Sequence, residues 1–583
     1  MARILPNPGY GIAPDPDDRT ATVGQDRLDG GTGLLTTEIS QRKKMRRQRR
    51  ATLALTAAQL ACLAAPGAAQ AADGDPAADL DADLAPTVAG LDLERATILD
   101  LQRAMNAGRL TSERLTQLYL DRIQRLNPSL HAVITVNPDA LALARASDAT
   151  RRRTGPRGPL EGIPVLLKDN IDTADRQPTT AGSYALERAR PSADAFLVRR
   201  LRAAGAVILG KANLSEWANF RSIRSTSGWS AVGGQTNNPY ALDRNPGGSS
   251  SGSAVAAAAH LATVTIGTET HGSIACPAGA NAAVGVKPTL GLVSRSGIVP
   301  ISAQQDTAGP ITRNVTDAAL VLAAIQGPDP ADPATRDAAG RGIGDLRAVL
   351  DPDALRGKRI GVWRQGGYGI DPEVDRVFDA AVQRLRALGA TVVEGADVPY
   401  LDVVGENEFP ALVHEFKHDV NAYLAATPGE HPADLAELIA FNRAHADVEL
   451  KHFGQELFEQ AEATSGDLSD PAYARLRRLA TAYARRGIDE TLARHQLDAI
   501  VAPANGPAWK TDYARGDAYV IDSSTPAAVS GYASVTVPAG YAQGELPLGL
   551  SFIGDRWSDA RLLALAYAFE QATGARRPPA PAA

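Results

Sequence analysis

The sequence predicts an α/β protein. Apolar runs of strand length alternate with segments of helical periodicity, as in Ile163–Leu167, Phe196–Ala204 and Val207–Leu209. The change from one to the other often falls at Gly- and Ser-rich turns, most clearly at Gly247–Ser253 and Gly267–Ser273. With 583 residues and 44% hydrophobic content, the chain is long enough to bury a large core around one sheet.

Taken in order, residues 1–44 are polar, Gly/Asp/Pro-rich and aperiodic, and read as a disordered or mis-assigned N-terminal extension. Arg42–Arg50 carries seven positive charges in nine residues, followed by apolar Ala51–Leu63 and the small-residue site Ala69-Gln70-Ala71. That order of basic, apolar and small is the pattern of a secretory signal, so 45–71 is expected to direct export to the periplasm or beyond the cell, with Met45 a candidate start. The apolar run is too short for a good transmembrane span, and no stable membrane insertion is expected. Residues 72–90 read as a linker and 91–575 as the folded domain.

Within that domain, Leu91–Leu126 has the spacing of two amphipathic helices, the second opening on the cap-like Thr111-Ser112-Glu113. Ala132–Val136 reads as a strand and Pro138–Arg153 as a helix. The apolar strand Ile163–Leu167 ends at Lys168, where strand ends of α/β proteins face a crevice. Lys211, expected in the loop after Val207–Leu209, is the rival functional lysine. Ala254–His260 reads as a helix and Ala262–Ile266 as a strand. Asp306–Pro310 reads as a turn before a helix over Val315–Ile325, and Gly327–Arg347 as a loop. Arg359–Val362, Ala390–Val393, Leu497–Ala502, Ala533–Val537 and Leu548–Ile553 read as strands, with helices over Glu373–Leu388 and Ala560–Thr573. A helical cap is expected over about 405–490, and Thr525–Tyr532 is expected near the pocket. Residues 576–583 read as a disordered tail.

Composition narrows the function. The formal charge is −6, and most of the positive excess lies in the leader, so the folded part is acidic; nucleic acid is not an expected partner. Cys62 and Cys276 have no zinc-site spacing, and loss of the leader would leave Cys276 alone.

The chemistry concentrates in Gly247–Ser273. Glycines at such junctions permit positive φ, so successive N–H groups can face one spot, and a serine delivered there is a nucleophile candidate beside an oxyanion hole. The segments GIPVLLKDN, NPGGSSSGSA, GTETHGSIACPA and VGVKPTLGLVSRSGIVP, in this order, resemble the amidase signature family. GKANLSEWANF, QDTAGP and EFKHDVNAYL point to its peptide amidase branch, which removes the amide from a peptide's C-terminus. The resemblance runs from about Leu91 to the C-terminus. It implies a central, mixed, largely parallel sheet covered by helices on both faces, and hydrolysis of amide C–N bonds without a cofactor or metal. It assigns Ser273 as nucleophile, Ser249 as bridging serine after a cis Gly248–Ser249 peptide, and Lys168 as base. Backbone N–H groups of Thr270, His271, Gly272 and Ser273 form the implied oxyanion hole, with Gly248 and Ser250 supporting. The family commonly has Asp and Gly where this chain has Glu269 and His271; Glu269 agrees with the peptide amidase branch, which carries aspartate at 271. His271 is open to three readings: a specificity contact, a local charge change or a surface swap.

Other readings fare less well. Gly248–Gly252 fits the G-x-S-x-G elbow with Ser250 as its nucleophile, but Asp243–Pro246 before it is not a strand. A phosphate loop would need Gly-Lys-Ser/Thr, which Gly247–Ser253 lacks. His414–His418 fits HExxH, with Glu437, His445 or Glu449 as conceivable third zinc ligands. A binding protein without activity would usually have lost one of Lys168, Ser249 or Ser273. A role as the ammonia-delivering component of an amidotransferase for charged tRNA conflicts with export and acidic charge. Amides of small aryl, aliphatic or cyclic compounds remain alternative substrates to peptide amides; oligomeric state is not legible.

Overall fold

The computed structural model describes residues 86–579. The expectations for 1–44, for the leader 45–71 and for most of the linker lie outside the described residues. The chain enters through a small hairpin, β1 (Thr87–Val88) and β2 (Leu91–Asp92). Val88 is buried, so residues 86–90 join the fold.

Helix α1 (Ile98–Asn106) starts in a capping box between Thr97 and Asp100. Helix α2 (Ser112–Leu130) is capped by the Thr111 hydroxyl, which accepts from Arg114 N, as its cap chemistry predicts. Strand β3 (Val133–Val136), helix α3 (Ala140–Thr154), β4 (Pro164–Lys168), α4 (Phe196–Ala203) and β5 (Val207–Ala212) follow. A second hairpin, β6 (Trp229–Ser230) with β7 (Gly234–Gln235), precedes α5 (Ser251–Ala258), β8 (Val264–Glu269), α6 (Ala275–Ala280) and β9 (Val284–Lys287). Then come β10 (Thr307–Thr312), α7 (Val315–Ile325), α8 (Leu346–Val349), β11 (Arg359–Val362), α9 (Pro372–Ala387) and β12 (Thr391–Glu394). The cap is made of α10 (Leu401–Ala426), α11 (Leu435–Ala444), α12 (Glu456–Glu462) and α13 (Pro471–His495). The chain closes with β13 (Ala499–Pro503), α14 (Thr525–Ser530), β14 (Ser534–Ala542), β15 (Leu546–Ile553) and α15 (Asp559–Thr573).

One sheet of 11 strands runs in the order β12-β11-β13-β15-β14-β9-β10-β8-β4-β5-β3. Every residue of β4, β5, β8, β9, β10, β13 and β15 is buried, which requires cover on both faces. The sheet is mixed, as expected, but parallel pairing is confined to two patches, β12-β11-β13 and β8-β4-β5. The neighbours between those patches are antiparallel, so the parallel share is smaller than the resemblance implied.

Three local expectations are corrected. Asp306–Pro310 is not a turn: Thr307–Thr312 is β10, inside the sheet between β9 and β8. Its Gly309 is there for close approach, since a Cβ would come 1.9 Å from Val286 O on β9. Lys211 lies within β5 rather than in the loop after it. Gly267, Thr268 and Glu269 belong to β8, so the second turn is shorter than its composition suggested. At the far end, the expected tail is anchored at its start. Arg576 donates to Glu94 Oε2, Ala258 O and Ala282 O, and Arg577 N donates to the Tyr541 hydroxyl.

The largest core cluster surrounds the sheet. The cap has its own, in which Leu412, Phe416, Val420, Leu438 and Phe458 pack with Trp217 and Phe220 of the body.

Candidate active site

The site forms where β4, α5 and the turn between β8 and α6 meet. Lys168 ends β4 and is wholly buried. Its Nζ lies 2.7 Å from Ser249 Oγ, 2.9 Å from Thr268 Oγ1 and 3.2 Å from Thr268 O. Burial lowers its pKa to about 7, against the raising influence of Asp306 and Glu269. A neutral amine has two N–H donors and one lone pair, which suits two Thr268 oxygens and one Ser249 hydroxyl proton.

The Gly248–Ser249 peptide is cis. Ser249 O accepts from Ser215 N at 3.0 Å, holding the turn against the segment after β5. Ser250 joins the two Gly/Ser turns: its N–H donates to Ser273 O at 3.1 Å, and its hydroxyl donates to Thr268 O at 3.0 Å. Ser251 and Ser253 bond to Gly247 O and Ile266 O and serve the local backbone.

The turn Thr270–Ser273 is fixed from several sides. Gly272 takes φ +74°, a conformation glycine adopts without steric cost. Glu269 Oε2 accepts from Ile274 N and Ala275 N, at 2.8 and 3.0 Å, just past Ser273. Thr270 Oγ1 donates to Asp306 Oδ1, whose other oxygen accepts from Ile301 N and Ser302 N. None of the four N–H groups from Thr270 to Ser273 donates to an acceptor among the described residues. Buried backbone donors are normally paired, so a run of unspent ones marks a place for an anion.

Gly248 and Gly272, each next to a serine of the site, line one small cavity with Ser227, Cys276, Trp509, Tyr519 and Asp522. Asp306, Glu408 and Asp522 carry much of the site's charge and are not foreseen from the sequence. Asp306 lies in the QDTAGP segment, whereas Asp522 and Glu408 have no local signal.

His271 is not a surface swap. Its ring is buried, with Nδ1 2.8 Å from Glu408 Oε1 and Nε2 3.2 Å from Asp522 Oδ2 and 3.0 Å from Thr525 Oγ1. Thr525 thereby joins the site, as expected of 525–532. Lys211 stays apart: it donates to Ile171 O and Thr179 Oγ1, at 2.7 and 2.8 Å.

The HExxH segment does not build a metal centre. Glu415 is buried and both its oxygens are engaged, by Arg477, Tyr473 and Ser302. His414 contacts Ser465 and His418 contacts Asp419, and among the described residues no group of three or more His, Cys, Asp or Glu is placed to hold a metal ion.

Residues 114–563 match the Amidase family. The chain belongs to the amidase signature family. Its curated relatives include a probable amidase of Arabidopsis thaliana, 44% identical over 497 residues, covering 84% of this chain and 92% of the relative. A glutamyl-tRNA(Gln) amidotransferase subunit from Geobacter metallireducens is 36% identical, covering 83% of this chain and 98% of the relative. Among solved structures, the peptide amidase of Stenotrophomonas maltophilia superposes with a TM-score of 0.79 at 53% identity, covering 84% of this chain and 99% of that one. As an amidase, the chain is a hydrolase of amide C–N bonds, and the mixed sheet with its helices is the amidase signature fold.

Proposed function

We propose that this amidase removes the C-terminal carboxamide of peptides, giving a free acid and ammonia, with Ser273 as nucleophile. Neutral Lys168 takes a proton from Ser249, which takes one from Ser273 as Ser273 Oγ bonds to the carbonyl carbon. The resulting oxyanion is held by the N–H groups of Thr270, His271, Gly272 and Ser273, in keeping with their freedom from other partners. Running the relay backwards protonates the leaving nitrogen, the C–N bond breaks, and ammonia departs. Water then attacks the Ser273 ester through the same relay and releases the acid.

The observation that carries this reading is the buried Lys168 amine 2.7 Å from Ser249 Oγ, with its pKa lowered to about 7. Peptide specificity rests on 53% identity over 99% of the Stenotrophomonas enzyme, set against 36% for the Geobacter amidotransferase protein. The acidic folded part also fits a tRNA partner poorly. Export through 45–71 belongs to the same proposal and is tested by fusing that segment to a reporter and fractionating cells.

The deciding assay is ammonia release by protein beginning near Ala72. Rapid release from an N-blocked dipeptide amide, with internal peptide bonds untouched, is expected. Release only from aryl or aliphatic amides would move the specificity and keep the residues in their roles. Ser273→Ala is expected to abolish turnover with the fold intact, and wild-type-like activity in that variant would overturn the assignment.

A further inference from the structure

His271 supplies an N–H to the turn that carries Ser273, and its side chain reaches two other parts of the molecule. Glu408 comes from cap helix α10 and is fully buried; Asp522 precedes α14. Glu408 Oε1 also accepts from Gln305 Nε2, and that amide donates to Thr270 O, so the cap reaches the same turn twice. Arg477 of α13 donates to Gln305 Oε1 and pairs with Glu415 of α10. Asp522 Oδ1 accepts from Ser524 N and Oγ, and a Cβ on Gly272 would lie 2.9 Å from Ser524 Oγ.

The ring has a carboxylate on each nitrogen. A neutral imidazole has one N–H and one lone pair, and would set that lone pair against a carboxylate oxygen. A neutral ring protonated at Nδ1 would donate to Glu408 and accept from the Thr525 hydroxyl, but would leave its Nε2 lone pair facing Asp522 Oδ2; only the doubly protonated ring donates to both carboxylates. Burial alone would push the His271 pKa down, but Glu408 and Asp522 outweigh it and hold it well above the ordinary value. The two carboxyls respond in kind: burial would raise them, yet contact with His271 holds both below their usual range. The other charged groups nearby are Glu269, in β8 just before the turn, Asp306, bonded to Thr270, and Arg477, on the far side of Gln305.

We propose that His271 is the positioning residue of this turn: its imidazolium ties the N–H run to the cap through Glu408 and to the 522–525 segment through Asp522, and loss of its proton at alkaline pH ends turnover by releasing the turn. The inference rests on the reading in which the Thr270–Ser273 donors bind the oxyanion. A raised pKa fixes the sign: the tie is complete below the ordinary histidine value and is lost as pH rises through the value in the folded protein. Lys168 sets the opposite limb, since it must lose its proton to act. Activity therefore rises through about 7 with Lys168 and falls again at higher pH with His271.

The test is the pH dependence of kcat for the wild type, His271→Asn and Glu408→Gln, with melting curves of each. In Glu408→Gln, which keeps the shape and removes a carboxylate, the alkaline limb is expected to move down by about one pH unit or more. In His271→Asn, the limb is expected to vanish, with kcat lowered about 10–100-fold, less than the roughly 10²–10³-fold cost of deleting an oxyanion donor outright because the backbone N–H groups remain, and KM nearly unchanged. An alkaline limb unmoved in both folded variants overturns the proposal. Should His271→Asn not fold, the Glu408→Gln profile decides alone. Proton NMR of labelled histidine rings gives a readout independent of activity: a doubly protonated His271 at pH 7 supports the proposal and a neutral ring overturns it. Activity surviving in Ser273→Ala would instead defeat the underlying functional reading, and the NMR result would still speak for His271.

Discussion

Lys168 and Lys211 lie on neighbouring parallel strands and are both fully buried, yet they face opposite ways. Lys211 is paired with Leu167 across the β4–β5 ladder, one position from Lys168, and side chains alternate along a strand. One lysine therefore meets Ser249 and the other meets Ile171 O and Thr179. Their chemistry is separable by substitution. Lys168→Arg keeps a long basic side chain but never deprotonates, so it is expected to lower kcat by about 10²–10⁴-fold, the usual worth of a general base. Steady-state kinetics check it, and a loss of less than tenfold would point to another base. In the wild type, kcat/KM is expected to fall about tenfold for each pH unit below Lys168's pKa, near 7. A profile flat down to pH 5 would contradict a lysine base.

At the scale of elements, the sequence was legible where local rules and tertiary packing agree. The capped start of α2, the strand running into Lys168 and the Ser-rich turn before α5 all lie close to where periodicity and capping put them. It misled where glycine and proline serve packing instead of turning. In β10, Gly309 and Pro310 read as punctuation, but the strand is held by neighbours distant in sequence, and Gly309 makes room for Val286. Gly309→Ala is accordingly expected to destabilise the fold by about 1–3 kcal/mol, the usual cost of overpacking a core, measured by urea unfolding. The cap shows the same limit. HExxH is a true spacing on α10, but Glu415 is consumed by Arg477, a partner in α13 that no local pattern reveals. Glu415→Ala, which strands Arg477, is expected to cost about 3–5 kcal/mol, as for other buried pairs broken on one side. The candidate site divides similarly: the residues in the two turns were readable, whereas Glu408 and Asp522 are supplied by distant elements.

Over the whole molecule, the two ends of the described chain are tied together. Glu94, just past the first hairpin, bonds to His260 and to Arg576 beyond the last helix. Burial would raise the Glu94 pKa, but His260 and Arg576 more than offset it and lower it to about 2. Its contribution to stability is thus present above the usual carboxylate value and is lost as pH falls toward 2. A chain ending at Ala575 is expected to be less stable at neutral pH than one ending at Pro579, by about 1.5–3 kcal/mol, the usual worth of a hydrogen bond to a charged group, since Glu94 keeps His260 but loses Arg576. Equal unfolding midpoints for the two would show that the junction contributes nothing.

The sheet order also has a consequence for synthesis. Lys168, Ser249 and Ser273 all precede β9, whose partner on one side is β14, beyond the entire cap. A ribosome that has released the chain as far as β10 has therefore made every group of the proposed relay, and left β9 as an open strand edge. Such an edge is a template for other chains, and it stays uncovered until most of the remaining sequence has emerged. The residues of the proposed relay come early, and the strand that shields their half of the sheet arrives late.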